Sequence, residues 1–529
     1  MTLIRVSLSA VAVLALCAPA AMLAQPPTAA APPPAVAAKA APAKEQAPSE
    51  KKTDESTPIP PETTSVTAHE GVFGGRTVHY TATAGNLLIR DENDKPNGSI
   101  FYVAYTEDGA DAARRPVTFL YNGGPGAATF WLHMGSFGPV RVVTDSPKPT
   151  AGPPYQLITN PESLLDQSDL VFIDAPLAGY SRAVGNGTLK DFAGTDQDIH
   201  AFDRFIVRYL TEYHRWNSPR FLFGESYGTT RSAGLVAALQ ADGVQCNGVI
   251  LLSSILNYGI RTPGYDREFI SYLPSYAAIA WYFHKVKHTG EMKDFVQQAR
   301  VFARGPYAQA LFAGDKLPPA EFDAMAQRVA EFTGLPVAYV KEAKLRVSPA
   351  RFRKQLLRGE DERILGRYDA RFEGWDADAA GETPDSDPAE TGISGAFIAQ
   401  FHDYLEHELK FNTAEQYFTS APGVIGAWEF KHHPADNGGQ QAAADTAVDL
   451  ASAMRKNPKL KVFSANGYFD LATPFFATEY DLAHMQLPQE LTGNVQLAYY
   501  PSGHMVYLNT EALKQFRADL DAFYKSALN

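Results

Sequence analysis

The chain has 529 residues, of which 45% are hydrophobic, 20% charged and 12% aromatic. This composition is typical of a globular protein that is long enough to bury a large core. Its 59 acidic and 47 basic side chains give a net charge of −12. Because an acidic chain without a basic run lacks the surface that attracts phosphates, we expect no nucleic-acid partner.

The first 24 residues read as a secretory signal peptide. Residues 6–16 form a short apolar stretch, and residues 18–20 (Ala-Pro-Ala) fit a signal-peptidase site. Lipidation of Cys17 is not expected, because the preceding Leu16 is too bulky for a lipoprotein signal. No later apolar run reaches 18 residues, so we expect no membrane insertion. The protein is therefore expected to be exported, to the periplasm or the medium.

Residues 25–62 are rich in Pro and Ala and lack the apolar surface needed to offset the entropy of ordering. We expect a disordered linker there, with the folded part beginning near residue 63. The two cysteines are Cys17 and Cys246, so the mature chain would keep a single thiol. That thiol can form neither an internal disulfide nor a cysteine zinc site. His432 and His433 are assigned to a surface loop without a metal-binding pattern, and we expect no metal and no cofactor.

Short, almost continuous apolar runs recur along the folded part. Runs without alternation predict strands buried on both faces, as in a parallel sheet covered by helices. They lie at residues 99–105, 116–121, 169–174, 220–224, 248–254, 460–467 and 495–503. Residues 195–213 have helical apolar spacing and predict one covering helix. The sequence thus predicts a doubly wound α/β sheet.

A helical insertion is predicted inside this α/β pattern. Residues 259–458 are charged and helix-like, with the clearest periodicity at 319–334 and 394–411. The α/β core is then divided into a first part at 63–258 and a second part at 459–529. Ligands of such folds bind beyond the carboxyl ends of the strands, where we place the insertion as a cap.

The sharpest local signal is the sequence Gly-Glu-Ser-Tyr-Gly at 224–228, between a predicted strand and a predicted helix. This is the G-x-S-x-G pattern in its strand–turn–helix context. Small residues are needed two positions before and after the serine, because neighbouring backbone crowds the turn. Ser226 is therefore the candidate nucleophile.

A nucleophilic serine needs a base, and the base needs an acid that orients it. Asp470 follows the predicted strand at 460–467, and His504 follows the strand at 495–503, in the order Ser, Asp, His. We assign His504 as the base and Asp470 as the acid, with Asp481 as the first substitute for the acid.

The Gly-rich sequence Asn-Gly-Gly-Pro-Gly at 122–126 directly follows the strand at 116–121. Adjacent glycines let backbone N–H groups approach a ligand closely, and the position suits an oxyanion loop. A phosphate-binding loop would need a G-K-[ST] ending, which this loop lacks.

Together these motifs resemble the serine carboxypeptidase family of the α/β-hydrolase fold. The matching stretches are 122–126, 160–181, 224–228, 465–474 and 502–507. The resemblance implies the triad Ser226, Asp470 and His504 and an oxyanion hole formed by the N–H groups of Gly124 and Tyr227. It also implies that Asn122, Gly123 and Glu225 bind the terminal carboxylate of a peptide substrate.

The chain departs from the family pattern after this loop. Ala127, Ala128 and Thr129 stand where members often have Cys-Ser-Ser, and the disulfides of eukaryotic relatives are impossible, which predicts a divergent, bacterial-type member. The family's second acid falls on Ser136. We expect the neutral Ser136 hydroxyl to face the substrate and to extend peptidase activity toward neutral pH.

The leading hypothesis is an exported serine carboxypeptidase that acts through an acyl-enzyme. An esterase or acyltransferase on the same scaffold is the alternative, since the fold does not determine the acyl substrate. A binding module with a decayed site is the non-enzymatic alternative. The sequence does not determine the oligomeric state or the preferred side chains.

Overall fold

The computed structural model describes residues 56–287, 290–436 and 438–529. The predicted signal peptide and the linker up to residue 55 lie outside the described residues. Within the described ranges, no helix is long and apolar enough to cross a bilayer.

The strands of the described chain are numbered in chain order. They are β1 (Thr64–Phe73), β2 (Arg76–Arg90), β3 (Pro96–Glu107), β4 (Val117–Tyr121), β5 (Val140–Val142), β6 (Leu157–Thr159), β7 (Asp169–Ile173), β8 (Arg182–Ala183), β9 (Arg220–Glu225), β10 (Gly248–Leu252), β11 (Arg363–Leu365), β12 (Glu373–Trp375), β13 (Lys461–Gly467) and β14 (Val495–Tyr500).

The α-helices are numbered in the same way. They are α1 (Phe130–Gly135), α2 (Thr195–Glu212), α3 (Tyr227–Ala241), α4 (Arg267–Tyr282), α5 (Met292–Phe302), α6 (Ala308–Ala313), α7 (Pro319–Thr333), α8 (Val337–Glu342), α9 (Pro349–Gln355), α10 (Pro388–Thr391), α11 (Ser394–His407), α12 (Val424–Ala427), α13 (Ala447–Lys456), α14 (Phe475–Ala483), α15 (Gln489–Thr492) and α16 (Thr510–Leu528).

One large sheet forms the centre of the fold, in the order β1-β2-β3-β7-β4-β9-β10-β13-β14. The pairs from β7 through β14 are parallel, whereas β1, β2, β3 and β7 pair antiparallel to one another in turn. Every residue of β4, β7 and β10 is buried, as predicted for strands covered on both faces. The predicted α/β-hydrolase fold with a mostly parallel sheet is confirmed.

Helices cover both faces of this sheet. Phe119 on β4 packs edge-on against Tyr209 of α2, while Phe223 on β9 packs against Phe516 of α16. Phe119 is paired with Leu222, the neighbour of Phe223 along β9. Because successive side chains of a strand point to opposite faces, α2 and α16 lie on opposite sides of the sheet.

Between β10 and β13 the chain is mainly helical, with the small β11–β12 hairpin among the helices. Residues of α4, α5 and α7 form a second apolar cluster there, which includes Tyr276, Phe302 and Phe332. Phe469 and Leu471, from the loop after β13, belong to the same cluster. This packing ties the loop that carries Asp470 to the helical segment.

The predicted strands and helices agree with the structure in position and differ from it at their ends, whereas strands β1 and β2 are not predicted. The apolar run at 248–254 ends as a strand at Leu252, because Ser253 has a φ of +52°. The helix predicted at 394–411 ends at His407. The sequence does not predict β1 and β2 because burial alternates along both of them, so neither is a continuous buried run.

Candidate active site

Ser226 lies at the sharp turn between β9 and α3. Its φ of +61° and ψ of −129° fall in a region that side-chain-bearing residues rarely adopt. The backbone N–H of Ser226 donates to the carbonyl of Leu252 at the end of β10 (3.0 Å). Among the described residues its hydroxyl has no hydrogen-bond partner, so Oγ is free to engage a ligand and a base.

The two glycines that flank the turn are required by close backbone contacts. A Cβ on Gly224 would lie 2.1 Å from the carbonyl oxygen of Gly228, a distance that no side chain tolerates. A Cβ on Gly228 would lie 3.0 Å from the carbonyl oxygen of Tyr121 at the end of β4. The crowding inferred from the sequence is therefore present on both sides of Ser226.

Asp470 and His504 meet beyond the ends of β13 and β14. Nδ1 of His504 is 2.7 Å from Oδ2 of Asp470, and both side chains are buried. The backbone N–H groups of Ala472 and Thr473 donate to the other oxygen of Asp470, at 2.7 and 2.9 Å. This arrangement fixes the carboxylate, and the Nδ1 contact leaves Nε2 as the ring nitrogen available to a nucleophile.

Three further residues hold this pair. The Thr473 hydroxyl donates to Oδ2 of Asp470 (2.8 Å), and the Ser253 hydroxyl donates to the backbone carbonyl of His504 (2.6 Å). The backbone carbonyl of Tyr368, in the helical segment, accepts a hydrogen bond from the backbone N–H of His504. The Tyr368 ring lies tilted beside the imidazole of His504, with ring centroids 5.1 Å apart. The orientation of the imidazole is therefore set by both parts of the fold.

The Gly-rich loop packs directly on the turn of the candidate nucleophile. A Cβ on Gly123 would lie 2.5 Å from the backbone nitrogen of Tyr227, so the two backbones are in contact. Among the described residues, the N–H groups of Gly124 and Tyr227 have no protein acceptor. Two unpaired N–H groups on adjacent segments can stabilise an oxyanion that forms between them.

A buried ion pair supports this loop from behind. Arg231 on α3 is fully buried; its Nε donates to Asp198 (2.7 Å), and its Nη1 donates to the carbonyl of Asn122 (2.8 Å). Asp198 also accepts a hydrogen bond from the Tyr227 hydroxyl (3.1 Å). The pair thus connects the first residue of the loop to the residue that follows Ser226.

Asn122, Glu225 and Tyr507 converge beside the nucleophile turn. Oδ1 of Asn122 accepts from the N–H of Leu132 (2.9 Å), which leaves the amide nitrogen as the donor end of this side chain. Burial raises the pKa of Glu225 to about 7, and the opposing influence of His504, Tyr507 and Asn122 does not offset it. A protonated Glu225 can donate a hydrogen bond to an anionic ligand.

The prediction for Ser136 is wrong. Ser136 is completely buried at the end of α1, and its hydroxyl donates to the carbonyl of Leu132 in the preceding turn. The hydroxyl is therefore satisfied inside the protein and does not face a substrate. The residue before it, Gly135, instead contacts the ring of Tyr507.

Two other sequence assignments change in the structure. Asp481 lies on α14 and pairs with Arg267, away from the Nδ1 atom of His504 that Asp470 occupies. His432 is buried between Asp196 and Asp449 and is not a surface residue. No group of three or more His, Cys, Asp or Glu side chains suited to a metal occurs in the described ranges.

Sequence reasoning missed Tyr507, Thr473, Ser253 and Tyr368. Thr473 and Tyr507 each lie three residues after a member of the proposed triad, so short-range spacing could have marked them. Tyr368 comes from the helical segment, more than a hundred residues before Asp470 and His504 in the chain, and no local pattern could have revealed it.

Comparison with known proteins gives a consistent result. A model of the serine carboxypeptidase family matches residues 75–263. The pheromone-processing carboxypeptidase KEX1 of Yarrowia lipolytica is 25% identical over 225 residues, which are 42% of this chain and 34% of that relative. Carboxypeptidase Y of Saccharomyces cerevisiae is 25% identical over 150 residues, or 28% of this chain and 25% of that relative. The matched segments thus span about a third or less of these curated relatives.

One solved structure is similar to this protein over most of the length of both chains. The prohormone-processing carboxypeptidase from Saccharomyces cerevisiae superposes with a TM-score of 0.51 and 14% sequence identity, covering 84% of this chain and 91% of that chain. At this identity the likeness shows the fold, and the family-model match adds the motifs of the first α/β segment. Residues 75–263 thus match the serine carboxypeptidase family, and the described chain shares its fold with a solved carboxypeptidase.

Proposed function

We propose that this protein is an exported serine carboxypeptidase that releases C-terminal residues from peptides. The observation that supports this most directly is the arrangement around Ser226: a free hydroxyl on a strained turn, beside unpaired N–H groups and a buried Asp470–His504 pair. Export rests on the signal-like residues 1–24, which lie outside the described residues.

In the proposed reaction, Ser226 Oγ attacks the carbonyl carbon of the last peptide bond while Nε2 of His504 takes its proton. The tetrahedral oxyanion accepts hydrogen bonds from the N–H groups of Gly124 and Tyr227. The C–N bond then breaks, and the leaving amine takes the proton from His504. Water, deprotonated by His504, hydrolyses the acyl-enzyme and restores the Ser226 hydroxyl.

Recognition of the substrate's terminal carboxylate is assigned to Asn122, Gly123 and Glu225. The Asn122 amide nitrogen is available as a donor because Oδ1 already accepts from Leu132. Glu225 can donate only when it is protonated, and its pKa of about 7 keeps much of it neutral up to that pH. A peptide with a free C-terminus is therefore expected to bind better below pH 7 than above it.

Labelling with a fluorophosphonate, which reacts with activated serines, tests the proposed nucleophile. Wild-type protein should be labelled, and Ser226→Ala should not, while Ser254→Ala, at a neighbouring buried serine, should retain labelling. Absence of labelling in the wild type would favour the binding module. Labelling together with hydrolysis of esters but not of peptides would favour the esterase or acyltransferase.

A further inference from the structure

Two arginines lie against the loop that carries Asp470. Arg261, near the start of the helical segment, is exposed, and its Nη2 donates to the backbone carbonyl of Ala472 (2.7 Å). Arg367, near the end of the same segment, is half-buried, and its backbone carbonyl accepts from the N–H of Leu471 (3.0 Å). Both arginines are therefore fixed to the residues that directly follow the proposed acid.

The guanidinium of Arg367 lies close to the proposed base. Its Cζ is 5.3 Å from the centroid of the Tyr368 ring, which is a cation–π contact. The same ring lies beside the imidazole of His504, with centroids 5.1 Å apart. The guanidinium can be no farther from the imidazole than these two distances placed end to end. Since an extended peptide residue spans about 3.5 Å, a side chain next to the bond that Ser226 attacks can reach it.

A cavity beside the triad brings Arg261 close to Thr473. Arg261, Thr473 and Asp481 all line this cavity. The Thr473 hydroxyl is 3.1 Å from Nδ1 of His504, so the cavity lies directly beside the proposed base. Asp481 is the acidic residue of the cavity wall, and it is already paired with Arg267. The positive charge of Arg261 is therefore not cancelled by the acid nearest to it in the wall.

Neither guanidinium has a carboxylate partner. Among the described residues, neither Arg261 nor Arg367 forms an ion pair. Asp387 uses its carboxylate on the backbone, where it accepts from the N–H of Arg367 (2.8 Å). Arg371, four residues further along the chain, shows the contrast: it is buried and paired with Asp369. The two arginines thus keep their charge available beside the triad.

The two cations act on one region, around Tyr272. The hydroxyl of Tyr272 donates to the same backbone carbonyl as Arg261 does (3.4 Å). Burial raises the pKa of Tyr272, and Arg261 and Arg367 both oppose this rise because a nearby cation stabilises an ionised phenol. Glu268 and Asp470 act on Tyr272 in the opposite sense. Asp470 is held by His504, so the charge left over at this side of the triad is positive.

We propose that Arg261 and Arg367 form a cationic subsite that binds an acidic side chain of the peptide substrate, next to the bond that Ser226 attacks. This inference rests on the proposed carboxypeptidase function. A half-buried guanidinium without a carboxylate is costly, and the carboxylate of a ligand supplies both the opposite charge and two acceptor oxygens for its planar donors. Preferred substrates therefore carry Glu or Asp at one of the two residues that form the scissile bond.

The test uses peptides with a free C-terminus that carry Glu, Gln or Lys at the last or the penultimate position, at pH 6. Because Gln matches Glu in shape, the ratio of kcat/KM for the Glu and Gln peptides measures the effect of charge. We expect this ratio to be about tenfold at one of the two positions, the value of one hydrogen bond between charged groups. Lys should be worse than Gln there, and added salt should reduce the ratio.

Variants of the two arginines test whether they are the source of this preference. Arg261→Gln and Arg367→Gln should each lower the ratio, and the double variant should bring it to about one. Arg367→Glu should instead favour Lys over Gln, since the charge of the subsite is reversed. Arg304→Gln is the matched control, because Arg304 is an exposed arginine of the helical segment between α5 and α6 that forms no ion pair within the described residues. It removes the same charge and should leave the ratio unchanged.

A ratio near one at both positions in the wild type, with the free peptide still cleaved in preference to its C-terminal amide, would overturn this inference and leave the proposed function standing. An unchanged ratio in the double variant would also overturn it. Loss of the preference for the free acid over the amide in the double variant, measured with the Gln peptides, would assign the arginines to the terminal carboxylate and not to a side chain. If the wild type turned over free and amidated peptides equally, the proposed function itself would fail.

Discussion

Glu225→Gln should stabilise the protein at alkaline pH even though it alters the proposed recognition site. The rise of the Glu225 pKa from 4.5 to about 7 corresponds to about 3 kcal/mol of unfavourable free energy for ionising this buried carboxyl. In the unfolded chain the same group ionises near pH 4.5, so between pH 4.5 and about 7 the folded state binds more protons than the unfolded state. Stability of the wild type should therefore fall as pH rises through this window, reaching its full loss above pH 7.

Urea denaturation at pH 5 and pH 9 measures this difference. The stability of Glu225→Gln relative to wild type should increase by about 3 kcal/mol between the two pH values, since glutamine carries no titrating proton. Glu490→Gln, at an exposed glutamate on α15, is the control and should show no such change. Parallel stability curves for wild type and Glu225→Gln would refute the reasoning, because they would show that Glu225 ionises at no cost in the folded state.

The remaining predictions concern the proposed triad and the buried histidine. Ser226→Ala and His504→Ala should each lower kcat by about 10⁶-fold, and the double variant should be hardly worse, because the residues act as a unit. A double variant whose loss of kcat equals the product of the two single losses would contradict a shared role. Asp470→Asn should lower kcat by about 10⁴-fold, whereas Asp481→Asn should leave it near wild type; the reverse result would move the acid to α14. Burial disfavours protonated His432, but its two aspartates outweigh this and raise its pKa to about 9. His432→Gln should therefore destabilise the fold by about 3 kcal/mol at pH 6, and thermal unfolding should show this deficit shrinking as pH rises through 9; a constant deficit would mean that the histidine is neutral.

The central architecture could be predicted because its physical signals are local. Strands buried on both faces read as continuous apolar runs, and the crowded turn around Ser226 demands glycine at 224 and 228. The same runs located the ends of β13 and β14, where Asp470 and His504 follow. These features depend on neighbours that are close in the sequence or repeated along one strand.

The features that escaped prediction depend on contacts between distant segments. The role expected of Ser136 came from its spacing after Asn122, but α1 ends so that its hydroxyl bonds the preceding turn. Tyr507 reaches Glu225 from a loop nearly three hundred residues away, and Tyr368 reaches His504 from the helical segment. Such pairings are decided by tertiary packing, for which a single sequence carries no local pattern.

Mass spectrometry of one peptide and its C-terminal amide, each incubated with wild type and with Ser226→Ala, tests the central claim most directly. The account predicts that wild type removes residues one at a time from the C-terminus of the free acid, that the amide is cleaved far more slowly, and that Ser226→Ala cleaves neither. Equal cleavage of the two peptides, cleavage at internal bonds, or undiminished cleavage by Ser226→Ala would contradict it.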